Sequence, residues 1–300
     1  MVGCGRVGQT LARLLHAGGL CRVQDLKAHR VDNAAQAARF IGAGRAVAQL
    51  SDMRPADLWM LSVPDTQVAT VASELAAVWP GQAAPQRLPT AFHCSGFLQA
   101  AELAPLGRHG CQLASVHPVL NFASASSGVA QFAGTPCGIE GEAAALDVVR
   151  PLMQAIGGRC FAVQGEHKAL YHAAAVFSSN YLVVLQAIAR EAWQAAGVPP
   201  ELLGDVHAAL LQATVHNTLQ LGPAAAITGP AARGDAEVVR QQQACVHDWH
   251  PQAGAIYQEM AVLARRLALT GQTGAQLPAT GAAPDTLTDP WGPDRHPPTT

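Results

Sequence analysis

Charged residues, and lysine above all, are scarce in this sequence. Of its 300 residues 13% are charged and 49% are apolar, and Lys27 and Lys168 stand beside seventeen arginines. The apolar content is enough to fill a core and excludes a wholly disordered chain, and the length suits two domains of ordinary size. A lysine retained in such a composition is a candidate for chemistry of its own, because ammonium and guanidinium differ as proton donors.

Several features that mark other classes of protein are missing. The net charge is −2, so there is no basic excess to neutralise a nucleic-acid backbone. No apolar run reaches the roughly 18–20 residues of a membrane span, since residues 173–189 are interrupted by polar Ser178, Ser179, Asn180 and Gln186. The first motif starts at residue 3, which leaves no room for a signal peptide. We therefore expect no nucleic-acid partner and no membrane.

The spacing of the cysteines and the absence of two motifs exclude further classes of protein. The seven cysteines are scattered and form no C-x-x-C pair, so we expect neither a disulfide framework nor a metal site, and a cytoplasmic location. A pair His247-x-x-His250 has no evident third ligand. No G-x-S-x-G elbow and no Walker lysine occur, which argues against an α/β-hydrolase and a P-loop nucleotidase.

The first half of the chain alternates short apolar runs with helical patterns. This order is typical of an α/β fold, a doubly wound and mostly parallel Rossmann-like sheet, and we assign it to residues 1–164. The predicted strands are 21–26, 58–63, 90–93, 112–116, 136–139 and 160–163, and the predicted helices are 7–17, 33–41, 68–78, 97–106 and 142–156.

The second half lacks strand signals. Alanine-rich helical patterns predict an all-α domain over residues 165–270, with one long helix at 166–196, another at 200–221, a turn-rich break at 222–235 and helices to about residue 269. Residues 271–300 are rich in Pro, Thr and Gly, which predicts a disordered tail.

A glycine loop opens the first predicted helix. Gly3-x-Gly5-x-x-Gly8 has the spacing of a dinucleotide site, in which one glycine makes a tight turn, one lets the backbone approach a pyrophosphate and one packs helix on strand. The helix N-terminus, with Arg6 and Val7, supplies N–H groups to the phosphates. Only Met1 and Val2 precede Gly3, so the first strand is truncated, and we expect the natural start to lie upstream.

The turn after the second predicted strand bears on which dinucleotide binds. Asp25 lies early for the acid that holds the ribose hydroxyls in NAD sites, whereas His29 and Arg30 lie nearer that turn. A cation there suits a 2′-phosphate and favours NADP over NAD. Arg30 as a solvated loop residue is an equal alternative.

Polar residues end three predicted strands. They are Ser62-Val63-Pro64, His93-Cys94-Ser95-Gly96 and His117-Pro118. Because ligands bind beyond the carboxyl ends of parallel strands, we expect Ser62, Val63, Pro64, His93, Ser95 and Gly96 at the cofactor and His117 at the substrate. The alternative is that the prolines stop strands and that Ser95 caps a helix.

Three residues after position 165 are candidates for proton transfer. Lys168 and His172 are spaced i, i+4 and so share a helix face, and Asn180 follows two turns later. Burial and a helix N-terminus both lower a lysine pKa towards neutrality. A solvated lysine and a core histidine are the alternatives. In the loop 229–235, Arg233 either clamps a substrate carboxylate or phosphate or pairs with Asp235.

Taken in order over residues 1–265, these motifs resemble a two-domain family with a Rossmann-like domain and a C-terminal helical domain of unknown function. That family is similar to deazaflavin-dependent NADP oxidoreductases, pyrroline-carboxylate and ketopantoate reductases and the 6-phosphogluconate dehydrogenase group. The resemblance implies a catalytic lysine at Lys168, with His172 as its partner one turn on, and a homodimer through the helical domain.

Two functions follow as hypotheses. The first is an NADP-dependent oxidoreductase that transfers hydride to or from a small carbonyl, imine or hydroxy acid in a cleft between the domains. The second is a non-catalytic dinucleotide-binding sensor or assembly protein, because a fold alone does not grant activity.

Overall fold

The computed structural model describes residues 1–79 and 88–274, and the chain divides into two compact units, Met1–Leu182 and Val183–Thr300. The first unit extends past the predicted boundary at residue 165, because the helix that follows is hydrogen-bonded to the sheet through Lys168 and Tyr171. Most of the predicted tail, residues 275–300, lies outside the described residues.

Seven strands and thirteen helices are present in the described ranges. The strands are β1 (Asp25–Lys27), β2 (Arg45–Val47), β3 (Leu58–Leu61), β4 (Thr90–His93), β5 (Gln112–Pro118), β6 (Pro136–Gly141) and β7 (Arg159–Ala162). The helices are α1 (Arg6–Ala17), α2 (Val31–Ile41), α3 (Asp65–Ala77), α4 (Ala104–Gly107), α5 (Ala125–Gln131), α6 (Ala143–Ala155), α7 (Lys168–Ser178), α8 (Asn180–Ala195), α9 (Leu203–Leu221), α10 (Pro223–Ala226), α11 (Pro230–Arg233), α12 (Ala236–Trp249) and α13 (Pro251–Thr270).

The sheet of the first unit confirms the predicted α/β class. β1 pairs with β2, and β3 to β7 follow one another in order, all parallel to their neighbours except that β6 runs antiparallel to β5. Two buried clusters cover the two faces. Leu11, Leu26 and Phe92 belong to one cluster, and Trp59, Leu75 and Leu103 belong to the other.

Residues 1–3 take the place of the first strand. Val2 forms parallel bridges to both Lys27 and Leu61, and its amide donates to the Met60 carbonyl at 2.9 Å. These bonds join β1 to β3. Beneath them, at the amino ends of the strands, lies a cavity of about 470 Å³ whose wall includes Met1, Asp25 and Leu58. The expectation that residues precede Met1 stays a prediction.

Several elements differ from the sequence prediction. β2, α5 and the short helices α10 and α11 were not predicted, and the helix expected over 97–106 is a 3₁₀ helix, Ala100–Leu103, followed by α4. The single helix expected over 166–196 is two helices, because Ser179 leaves helical geometry at φ −127°, ψ −71°. By length and mean hydropathy of 1.3, residues Gly165–Ala195 are nevertheless apolar enough to cross a membrane. Lys168 at the start of this stretch is buried in contacts with the first unit, whereas none of the most apolar window of 18 residues is buried. The absence of a membrane partner stays a prediction.

The second unit, where described, is helical, in agreement with the predicted all-α region. α12 and α13 approach closely at Gly254, where an added Cβ would lie 2.6 Å from the His247 Cα. The Arg265 guanidinium donates to the Ala232 carbonyl at 2.9 Å and ties α13 to α11.

Candidate active site

The glycine loop is held against the end of β3 by Ser62. Gly3 has φ +87°, and a Cβ there would lie 2.5 Å from the Ser62 carbonyl carbon, so glycine is required. The Ser62 hydroxyl donates to the Gly3 carbonyl at 2.7 Å, and Gly8 packs against the same side chain. Contacts within the protein therefore account for glycine at positions 3 and 8 and hold the loop in place.

No close contact with another described residue requires glycine at position 5. It precedes α1, no side chain caps the helix, and the nearest atom to an added Cβ is the Ser62 carbonyl oxygen at 3.9 Å. The first amides of α1 therefore face open space, which is the requirement for backbone approach to a pyrophosphate. Beside it, the Arg6 guanidinium donates to the Phe122 carbonyl at 3.3 Å, and Val7 packs against the core.

The turn after β1 carries His29 and Arg30, as the sequence predicts. Both are exposed, and Arg30 lies 3.6 Å from the Asp32 carboxylate at the start of α2. Asp25 is buried instead and accepts from the main chain and guanidinium of Arg54 and from Arg45. Burial opposes ionisation, but the bonds from Arg54 and then Arg45 hold the pKa of Asp25 well below its usual range. Asp25 therefore has a structural role.

Two residues at the end of β4 turn inward, which corrects their expected place at the cofactor. The His93 ring is fully buried, its Nε2 bonds to the Gln99 carbonyl at 2.9 Å, and its Nδ1 accepts from the Ser95 amide at 3.2 Å. Burial lowers the pKa of His93 to about 4. The Ser95 hydroxyl accepts from the amides of Phe97 and Leu98, as a cap does. Both side chains hold the turn that presents Gly96.

Gly96 lies where two imidazoles meet. A Cβ there would come within 2.6 Å of His172 Cδ2 and 2.7 Å of His117 Cε1. The two rings are 5.8 Å apart and steeply inclined. Gly96, His117 and His172 therefore converge at the carboxyl ends of β4 and β5, beside the β3 end that carries Ser62.

α7 contacts two alternate cross-strand pairs of β5 and β6, which share one face of the sheet. In the antiparallel register Ser115 stands opposite Glu140, and His117 stands opposite Gly138. The Lys168 ammonium bonds to Ser115 Oγ, to the Ser95 carbonyl at 3.1 Å and to Glu140 Oε1 at 3.4 Å. One turn of helix away, the Tyr171 hydroxyl lies 2.9 Å from His117 Nδ1.

Lys168 is 2% exposed, and its three acceptors match the three N–H bonds of an ammonium group. Burial lowers its pKa, and the Glu140 carboxylate opposes that shift. Ser115 completes the arrangement by donating its own proton to the Ser95 carbonyl at 3.2 Å. Each N–H bond of the ammonium group therefore has an acceptor, and Lys168 is a buried cation beneath the Gly96 turn.

Burial also sets the protonation of the neighbouring ring and phenol. It lowers the pKa of His117 to about 4, with His172 and Lys168 adding to the effect. It raises the pKa of Tyr171 to about 12. At neutral pH, His117 is therefore neutral and Tyr171 keeps its proton.

Some predicted residues are not brought to this cluster. Asn180 is exposed, and its side-chain oxygen accepts from Ser179; the helix break at Ser179 removes the shared face with Lys168 and His172. Arg233, in the second unit, pairs with Asp235 at 2.8 Å, the alternative that the sequence left open. Val63 packs against the core, and Pro64 occupies the position before the first residue of α3 without a side-chain hydrogen bond to the helix. In the described ranges no group of three potential metal ligands occurs.

Sequence reasoning missed Ser115, Glu140 and Tyr171. Tyr171 is three residues after Lys168, and Ser115 is two before His117, so helix and strand periodicity each held a signal. Glu140 stands as the one acid in the strand segment PCGIEG. Its partner becomes identifiable only once the register with β5 is known.

Two family models match successive parts of the chain, and the second match begins before β6, within the first compact unit. Residues 1–118 match the model of a Rossmann-like domain, and residues 135–263 match DUF2520, a domain of unknown function. No curated protein matches.

Among solved structures, a protein from Thermotoga maritima is 25% identical, with a TM-score of 0.68 over 90% of this chain and 98% of the other. A Bacteroides fragilis protein to which an NADP oxidoreductase activity is ascribed is 21% identical, with a TM-score of 0.71 over 88% and 96%. An imine reductase from Myxococcus stipitatus in complex with NADP+ is 15% identical, with a TM-score of 0.60 over 91% and 94%. This chain thus carries a Rossmann-like domain followed by a DUF2520 domain.

Proposed function

We propose that the protein is an NADP-dependent oxidoreductase that transfers hydride to or from a small carbonyl, imine or hydroxy acid. The observation that carries the proposal is the common edge shared by an open glycine loop at Gly5 and a pair of imidazoles, His117 and His172. A cofactor on the loop and a substrate at the imidazoles would then be neighbours.

The described residues fit a pyridine nucleotide. The free amides of α1 and the space above Gly5 suit the pyrophosphate, and Ser62 holds the loop in that shape. The nicotinamide supplies the hydride chemistry when bound. The solved structures with NADP in their descriptions support a nucleotide of this class through their shared fold.

The choice of NADP rests on the turn after β1. His29 and Arg30 occupy the position where NAD-binding proteins carry an acid, and both side chains are exposed. A guanidinium there binds a 2′-phosphate by charge-assisted hydrogen bonds. Arg30 would then exchange its surface contact with Asp32 for the phosphate.

The proton that accompanies hydride transfer is assigned to His172, with Lys168 as a fixed positive charge beneath it. Lys168 already serves three acceptors, so its N–H bonds are engaged within the protein. His172 makes no hydrogen bond to a described residue and lies at Gly96. Histidine is the side chain used most often for general acid–base catalysis. The sequence-based assignment of Arg233 to a substrate carboxylate or phosphate stays a prediction.

The helical region is proposed to form a homodimer. Apolar side chains on its helices are exposed, among them Leu219 at 77%. A second copy that covers this surface would remove it from water.

The experiment is calorimetric titration of the full chain with NADPH and with NADH, followed by turnover with a panel of aldehydes, 2-oxo acids and cyclic imines. Gly5→Ala should weaken NADPH binding at least about tenfold, because the methyl occupies the pyrophosphate space. Gly204→Ala is the control, since its added Cβ meets nothing within 4 Å and the added Cβ of Gly5 meets no atom closer than 3.9 Å.

The outcomes separate the two hypotheses. NADPH binding that Gly5→Ala weakens and Gly204→Ala does not, together with oxidation of NADPH by one panel class, supports the oxidoreductase. Binding without oxidation by any class supports the non-catalytic sensor. No uptake of either nucleotide overturns both.

A further inference from the structure

Tyr171 contacts the one nitrogen of His117 that faces the protein. Its hydroxyl lies 2.9 Å from Nδ1, and the two rings meet edge to face with centroids 5.5 Å apart. No described residue bonds to Nε2, and that atom is not sealed from solvent. The ring therefore has one nitrogen held and one available.

The direction of the hydrogen bond follows from the proton count. Tyr171 keeps its phenolic proton, and the described residues offer that proton no acceptor besides His117 Nδ1. A neutral imidazole carries a single proton. If Nδ1 accepts from the phenol, that single proton lies on Nε2.

The strand register makes room for this contact. Gly138 stands opposite His117, and an added Cβ at Gly138 would lie 2.6 Å from the Tyr171 hydroxyl oxygen. Any larger residue at this position of β6 would displace the phenol. Gly138 and Tyr171 therefore act on the same ring from two separate elements.

The geometry points to Tyr171 as a positioning residue that fixes the Nε2–H tautomer of His117, so that this N–H donates a hydrogen bond to an oxygen of the substrate. The inference rests on the proposed oxidoreductase function. A neutral, oriented donor suits the oxygen of a substrate carbonyl, whose negative charge grows as hydride arrives at the carbonyl carbon. The inference thus adds roles for His117 and Tyr171 to the site, beside the residue that transfers the proton.

The test is a two-bond ¹H–¹⁵N NMR spectrum of ¹⁵N-histidine-labelled protein, with His117 assigned from the signals lost in His117→Gln. We expect a protonated Nε2 and an unprotonated Nδ1 in the unaltered chain. Tyr171→Phe and Gly138→Ala should each give a mixture of the two tautomers. A protonated Nδ1 in the unaltered chain, or an unchanged spectrum in both variants, overturns the inference.

Kinetics supply the second readout. With the panel substrate that gives turnover, Tyr171→Phe should raise KM about tenfold while the Kd for NADPH stays unchanged. Tyr257→Phe is the matched control, because its hydroxyl also bonds to a side chain, Gln242, at 2.6 Å, but in the second unit. An unchanged KM in Tyr171→Phe overturns the substrate contact.

The two proposals fail in different ways. A loss of the predicted tautomer, with NADPH binding and turnover intact, refutes the role of Tyr171 alone. A chain that binds no nucleotide but shows the Nε2–H tautomer refutes the oxidoreductase and the substrate contact, and leaves the tautomer assignment standing.

Discussion

The Lys168 ammonium lies 3.4 Å from the Glu140 carboxylate, and this pair, with Lys168 buried and Glu140 partly buried, joins helix α7 to strand β6. Glu140 also accepts from the Ala100 amide at 2.6 Å, so one carboxylate links α7 and β6 to the turn after β4. The pair thus holds together the elements that carry Gly96, His117 and His172.

Removal of the Lys168 charge should impair both stability and turnover. Lys168→Met leaves the partly buried Glu140 carboxylate without its cation, which should lower the free energy of unfolding by about 3 kcal/mol. Loss of the fixed positive charge beneath Gly96 should lower kcat by at least about 10²-fold. Urea denaturation and steady-state kinetics measure the two effects.

The double variant Lys168→Met with Glu140→Gln separates the effects. It removes both charges, so stability should recover while turnover stays low. Turnover equal to that of the unaltered chain in either variant would exclude Lys168 from the mechanism.

Arg30 should decide between the two nucleotides. Arg30→Ala should weaken NADPH binding about tenfold, or about 1.4 kcal/mol, and leave NADH binding unchanged, because the 2′-phosphate is the one group that differs. Calorimetric titration measures both constants. Arg39→Ala, at an exposed arginine on helix α2, which begins directly after Arg30, is the control. Equal losses for both nucleotides would refute the contact.

Asp25 should make stability depend on acid pH. Because Arg54 and Arg45 hold its pKa low in the folded chain, its contribution is present above the unfolded value of about 3.9 and is lost as the pH falls below it. Asp25→Asn should lower the free energy of unfolding by about 2–3 kcal/mol at pH 7, and by less at pH 3.

Urea denaturation at the two pH values measures this difference. Asp147→Asn, a carboxylate on the surface of α6, should change stability by less than about 0.5 kcal/mol at both. A loss from Asp25→Asn of the same size at pH 7 and pH 3 would contradict the assignment.

The proposed homodimer is tested by light scattering at micromolar concentration, which should give twice the mass of the chain. Leu219→Glu places a charge on an exposed apolar position of α9 and should shift the mass towards the monomer. Gln220→Glu, beside it on the same helix, carries the same charge as a control. A monomer mass for the unaltered chain would contradict the proposal.

Local spacing was enough to predict much of the site. The i, i+4 spacing of Lys168 and His172 correctly placed both on one face of a helix, and strand ends correctly placed Gly96 near His117. The scarcity of lysine makes Lys168 a candidate for chemistry of its own, as it does Lys27. Each of these signals lies within a few residues of sequence or in the composition.

The features of the site that the sequence did not predict depend mostly on contacts between residues that are far apart in the chain or on the shape of a turn. Glu140 meets Lys168 only because β6 runs antiparallel to β5, a reversal that short apolar runs do not encode. His93 turns inward because its ring satisfies the Gln99 carbonyl and the Ser95 amide, bonds set by the shape of the turn. The break at Ser179 interrupts an apolar pattern that continues on both sides of it.

The reversed direction of β6 has a consequence for insertions and deletions. Gly138 and Glu140 serve Tyr171 and Lys168 from the same face of one strand, so a shift of one residue would turn both away together. A single added residue within β6 would displace both the contact of Gly138 with the Tyr171 phenol and the contact of Glu140 with the Lys168 ammonium. We therefore expect related chains to have no insertions or deletions within β6.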